Sequence, residues 1–226
     1  MREKYIFPWL LFLAACASMP DFGLPIQEVP PGNAYTSWFS NLPSQYVMKQ
    51  VVSLESSESR MDLMAYLLVK NECFRIVAMN ELGMTLLDVY SPEKGNPVVV
   101  KASGRFAHPA LVENMVRDIR MAFLSRYLLN EKGFSVYGSG ESEILVSREE
   151  GLWHAWETKK GRPEKIRSGQ KDVVFRTIQY SYGPDSPGFP SDMRIHYPTA
   201  GVVLTLKIVS IDAKDIPDER LKPQKP

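Results

Sequence analysis

The chain has 226 residues, with 27 lysines and arginines against 26 aspartates and glutamates and a formal net charge of +1. Near-neutrality excludes the basic excess of a nucleic-acid binder. Two cysteines allow one disulfide at most, so a core of apolar side chains has to carry the fold, and the length suits a single domain.

The N-terminus carries Arg2 and Lys4, then the apolar run Trp9-Leu10-Leu11-Phe12-Leu13, too short to cross a bilayer. Leu13-Ala14-Ala15-Cys16 follows and resembles the bacterial lipobox, in which signal peptidase II cuts before the cysteine. The resemblance implies a signal peptide over 1–15 and a diacylglyceryl cysteine with a further acyl chain such as palmitate at Cys16, anchoring the protein to a membrane. Ala17 in place of aspartate implies, by the enterobacterial sorting rule, the outer membrane, with the domain facing the periplasm. Cys73 is then left without a partner and reads as a buried, inert thiol.

Residues 16–44 hold Pro20, Pro25, Pro30, Pro31 and Pro43 and read as a lipidated N-terminus with an extended tether. Trp38, Phe39 and Leu42 are apolar enough to dock at its end. The main domain is expected over 45–213. It begins with short apolar runs separated by turn residues: Tyr46 to Leu54, Met61 to Val69 (apolar enough to be covered on both faces), Phe74 to Met79, Thr85 to Tyr90 and Val98 to Lys101. His108-Pro109 opens a helix predicted to reach about Leu129, with Leu111, Met115, Ile119, Ala122 and Phe123 on one stripe and Arg117, Asp118 and Arg120 off it. Strands resume with Phe134 to Tyr137, Glu143 to Ser147, Leu152 to Thr158, Val173 to Tyr182, Met193 to Tyr197 and Val202 to Ile211. In the last, Leu204, Leu206 and Ile208 share one face and Thr205, Lys207 and Val209 the other. Lys159 to Pro163 reads as a basic turn, and the Pro-rich tail 214–226 as disordered. The fold class is α+β, a curved antiparallel sheet with one long helix.

Three stretches resemble the LolA/LolB lipoprotein-carrier superfamily, and LolB most: Phe74 to Leu87 with Asn80-Glu81-Leu82-Gly83 between two strands, the passage through His108-Pro109, and Phe189 to Ile195 followed by Leu204 to Ile208. A set of uncharacterised LolB-like lipoproteins is similar as well. The resemblance implies an incomplete β-barrel capped by the helix, with acyl chains held between. It also implies that Leu82 contacts a membrane or a lipidated client, although an apolar turn residue can equally fold back onto the core. Leu111, Met115, Ile119, Phe123, Met64 and Met79 are the candidate cavity lining; adaptable thioethers suit an acyl site, and ordinary core filling explains them as well.

There is no G-x-S-x-G, P-loop, G-x-G-x-x-G or H-E-x-x-H, so no catalytic residue, metal or cofactor is expected and the protein reads as a binder rather than an enzyme. His108, His154 and His196 read as structural. The cluster Lys159, Lys160, Arg162, Lys165 and Arg167 suits either anionic head groups or a solvated turn. The leading expectation is a monomeric outer-membrane lipoprotein that binds acyl chains in lipoprotein or lipid localisation and transport. Its partners would be the membrane, a lipid or lipoprotein client and a periplasmic carrier protein. The alternative is an assembly lipoprotein that uses the same fold as a protein-binding module.

Overall fold

The structure is a computed structural model, which describes residues 20–32, 43–124, 129, 133–138, 141–149, 151–184 and 188–223. Among the described residues thirteen strands form one open antiparallel sheet. In chain order they are β1 (Gln27–Val29), β2 (Gln45–Glu55), β3 (Arg60–Lys70), β4 (Cys73–Met79), β5 (Thr85–Ser91), β6 (Val98–Ala102), β7 (Phe134–Tyr137), β8 (Ser142–Glu149), β9 (Leu152–Lys159), β10 (Arg162–Gln170), β11 (Val173–Ser181), β12 (Asp192–Tyr197) and β13 (Val202–Ala213). Helix α1 (Pro109–Phe123) follows a 3-10 turn at Gly104–Ala107, and α2 (Asp218–Leu221) lies in the tail.

Two meanders, β2–β6 and β7–β13, are joined where β13 pairs with β2, with Leu206 opposite Val52 and Leu204 opposite Leu54. Along β2 and β3, alternation puts Tyr46, Met48, Val52, Leu63, Ala65, Leu67 and Val69 on the buried inner face. The outer face is covered only in part, so β3 is not enclosed on both sides as its composition suggested. The α1 residues Val112, Val116, Ile119 and Phe123, at spacings of four, three and four, close the inner face. The helix runs 15 residues, shorter than predicted.

Antiparallel pairing throughout sends alternate turns to opposite rims. One rim carries the turns at 56–59, 80–84, 171–172 and 198–201; the other carries those at 71–72, 92–97 and 160–161.

Three elements escaped the sequence. The basic turn is there but is confined to residues 160–161, and strand β10 takes Arg162 and Pro163 and the stretch beyond. Gly169 in it sits where an added Cβ would lie 2.3 Å from the Trp153 ring. Strand β1 shows that the tether is not free between 20 and 32: it pairs with β7, and Phe22 packs on Tyr137 and Trp153 at centroid distances of 5.7 and 6.0 Å. The expected disorder of the tail is overturned over 214–223. Ile216 and Leu221 are buried against Tyr90, with Val47, Leu68 and Cys73 beside them. Lys70 Nζ donates to the Ile216 carbonyl at 2.9 Å, Arg75 Nη1 to the Arg220 carbonyl at 2.9 Å, and the Ile216 N–H to Gln45 Oε1 at 3.0 Å. Apolar burial, with backbone groups satisfied by side chains, outweighs the entropy cost of ordering this segment.

Candidate functional site

The flank of α1 that faces β8–β11 carries Arg117, Asp118 and Met121. Asp118 is 3% exposed and Arg176, on the inner face of β11, 2%. Arg176 Nη1 donates to Asp118 Oδ1 at 2.6 Å and Nη2 to Ser168 Oγ at 2.9 Å. Ser168 Oγ lies 2.9 Å from His154 Nδ1. A chain of polar contacts thus runs from the helix through β11 and β10 to β9. Burial pushes the Asp118 carboxyl up to about 6, against the opposing pull of Arg176. Burial likewise lowers the Arg176 guanidinium, opposed by Asp118. Sequence reading put Asp118 on the solvent stripe; the structure turns it inward because Arg176 waits there.

Beside this chain lies a hollow of about 230 Å³, partly open to solvent, between α1 and the concave side of the sheet. Met121, Leu152, Trp156 and Phe175 supply its apolar walls, and Arg117, Ser147, Glu149 and His154 its polar ones. Leu152, His154 and Trp156 reach it because alternate residues of β9 share the inner face. That period-two triplet was the one sequence signal for this site. The pair Ser168–His154 has the residue types of a nucleophile and base, but Ser168 is fully buried and its oxygen accepts from Arg176, which makes it a bridge between strands. Among the described residues no cluster of three or more potential metal ligands occurs.

The residues expected to line a cavity are split. Ile119 and Phe123 are buried in the main core, and Phe123 stacks on Phe189 at 6.4 Å. Leu111 and Met115 are half-buried against the same core. All four pack in or against the main core, and none of them lines the hollow. Met64 and Met79 do not face the helix at all. Strand parity puts Met64 with Asp62, and Met79 with Arg75 and Val77, on the outer face. There the two methionines and Val51 line a shallow hollow of about 370 Å³.

Leu82 is 82% exposed at the tip of the β4–β5 turn, so the folded-back alternative does not hold. Asn80 Oδ1 builds this tip by accepting from the N–H groups of Leu82 and Met84 at 3.1 and 2.9 Å. Cys16, Trp38, Phe39 and Leu42 lie outside the described residues. Of the basic cluster, Arg167 and Lys165 pair with Glu157 at 2.7 and 3.5 Å and Lys160 with Glu141 at 3.4 Å, while the Arg162 guanidinium lies 5.7 Å from the Tyr182 ring. His108 stands at the helix N-cap without a side-chain cap bond, and His196 is exposed on β12.

No family model and no curated protein sequence matches the chain. Solved structures do resemble it. A LolA superfamily protein from Nitrosomonas europaea superposes with a TM-score of 0.52 at 11% identity, over 80% of this chain and 91% of that one. A DUF1329 family protein from Desulfovibrio piger gives 0.52 at 12%, over 82% and 93%. A putative outer membrane lipoprotein-sorting protein domain from Vibrio parahaemolyticus gives 0.48 at 12%, over 74% and 84%. At these identities the likeness is one of fold, and the fold is LolA-like.

Proposed function

We propose that this chain is a LolB-like lipoprotein, anchored to the outer membrane through an acylated Cys16, that binds an acyl chain of a lipid or lipoprotein client and acts in its localisation, without catalysis. The observation that carries this reading is the hollow walled by Met121, Leu152, Trp156 and Phe175, on the concave side of a LolA-like sheet. An apolar concavity with a few convergent polar groups is the usual form of a small-ligand site. Arg117 at the edge of the hollow suits an anionic or carbonyl-bearing head.

A fluorescent fatty acid titrated into the protein tests it. Binding is expected at micromolar Kd or tighter, about −8 kcal/mol, and Leu152→Phe, which narrows the hollow, should weaken it about ten-fold, about 1.4 kcal/mol. No binding at 100-fold that concentration would sink the reading. The anchor has its own test: Cys16→Ala should leave an uncleaved precursor without acyl label.

One observation favours the second reading, a protein-binding assembly module. The hollow, at about 230 Å³, is below the roughly 300–1,000 Å³ of ordinary ligand pockets, because Val112, Val116, Ile119 and Phe123 already fill the rest of the concavity. A full acyl chain needs α1 to move outward, so failure of the titration with a stable protein partner recovered would favour this module.

A further inference from the structure

We infer that Met64 and Met79 form a thioether site for a soft monovalent metal ion such as Cu(I), on the outer face of the sheet. The inference goes beyond the acyl reading, whose hollow lies on the opposite, concave face.

The first observation is the placement of the two methionines. On the outer face of β2–β4, Val47, Leu68 and Cys73 pack against Ile216 and Leu221 of the C-terminal strap. Further along the same strands, Val51, Met64 and Met79 line the hollow of about 370 Å³ instead. The ladders set them in one row, with Val51 opposite Met64, Met64 opposite Met79 and Met79 opposite Thr85. Residues directly opposed on antiparallel strands have Cβ atoms about 4.5–5.5 Å apart. An unbranched methionine carries its sulfur two bonds beyond Cβ on freely turning bonds, so both sulfurs reach one ion without backbone movement. A third thioether stands close by. Met84 is 54% exposed and is tied to Asn80 at the edge of the hollow. The Asn80 N–H donates to the Met84 carbonyl at 3.1 Å, and the Met84 N–H to Asn80 Oδ1 at 2.9 Å.

The second observation is which donors remain open. The oxygens beside the hollow belong to Asp62, Asn80 and Glu81. Asp62 accepts from Ser53 Oγ and from Arg60 Nε, the latter at 3.3 Å. Asn80 Oδ1 accepts from two backbone N–H groups of its own turn. Glu81 alone is left, whereas Ca²⁺ or Mg²⁺ takes about six oxygens or more. Thioether sulfur selects Cu(I) among the common metals, and a d10 monocation is satisfied by as few as two ligands in line. Leucines would fill an apolar hollow equally well, so the sulfurs are what the ion requires and what packing does not.

The test uses the full chain with Cys16→Ser and Cys73→Ala, so that no thiol competes and acylation plays no part. The methionine methyls are labelled with carbon-13. Ag(I), a d10 ion as soft as Cu(I) and stable to oxidation, is titrated in chloride-free buffer. The Met64 and Met79 methyl signals should shift together and saturate at one equivalent. Met64→Leu and Met79→Leu keep the apolar volume, and urea unfolding checks that each variant is folded. Each should weaken binding at least about ten-fold, the low end of what even an outlying partner contributes to a metal site. Zn(II) should leave both signals in place. Shifts confined to other methionines, or an affinity unchanged in either leucine variant, overturn the site. A shift of the same two signals by Zn(II) overturns its preference for a soft ion.

Discussion

Asp118 shows what a single position in this chain has to reconcile. It is one residue past Arg117 on a helix whose charged positions read as solvent-facing, yet it is buried and paired with Arg176. Removing one partner of such a pair leaves an uncompensated charge and costs about 3–5 kcal/mol. The sign of the pH dependence follows from burial. With the folded carboxyl pushed up to about 6, the native state keeps, up to about pH 6, a proton that the unfolded chain loses above about pH 4, so this group's contribution to stability declines as pH rises from about 4 to about 6. The stability gap between wild type and Asp118→Asn, measured by urea unfolding, should be widest near pH 4 and narrow by no more than about 3 kcal/mol toward pH 7. A gap that widens with pH means that the pull of Arg176 outweighs desolvation. Leu82 is the opposite case. Its exposure means that Leu82→Glu should change stability by less than about 0.5 kcal/mol while vesicle contact or client transfer falls sharply. A drop of several kcal/mol in the same unfolding experiment contradicts an outward tip.

At the scale of elements, the C-terminal strap makes the firmest claim. Ile216 and Leu221 bury fully on an outer face that alternation alone assigns to solvent, so Ile216→Ala should cost about 2–4 kcal/mol, read as a shift of the urea midpoint. The Asp218 carboxyl, held at about 2 chiefly by Lys222 and also by Lys70, gives the strap an acid limit. Its contribution is present above about pH 4 and lost as pH falls toward 2. The hairpins of β2–β6 and β11–β13 were legible because period-two runs alternate with turn residues, and the faces of β13 came out as the parity predicted. Strand β10 was not, since its buried positions include Pro163, Ser168 and Gly169, which serve a bulge, an arginine and an indole rather than an apolar core. Parity also explains Met64 and Met79. They lie on strands correctly expected, but one step out of phase with the inner residues Leu63 and Ala78, and a one-residue step exchanges faces. The hollow itself depends on contacts between β8, β9, β11 and α1 that no local pattern encodes; Leu152, His154 and Trp156 alone hinted at it.

At the scale of the molecule, the sheet is continuous only through the pairing of β2 with β13. Their ladder matches residues 46–55 with 203–213, from Tyr46 opposite Ala213 to Glu55 opposite Val203. No local hairpin can form it, so the join between the two meanders waits until the end of the chain is available, and contacts so distant in sequence form slowly. A chain threaded N-terminus first through an export channel would meet this requirement by default. Until β13 follows, β2 has one open edge, and the inner faces of the β2–β6 meander and of α1 lack half of their enclosure, a species prone to aggregation.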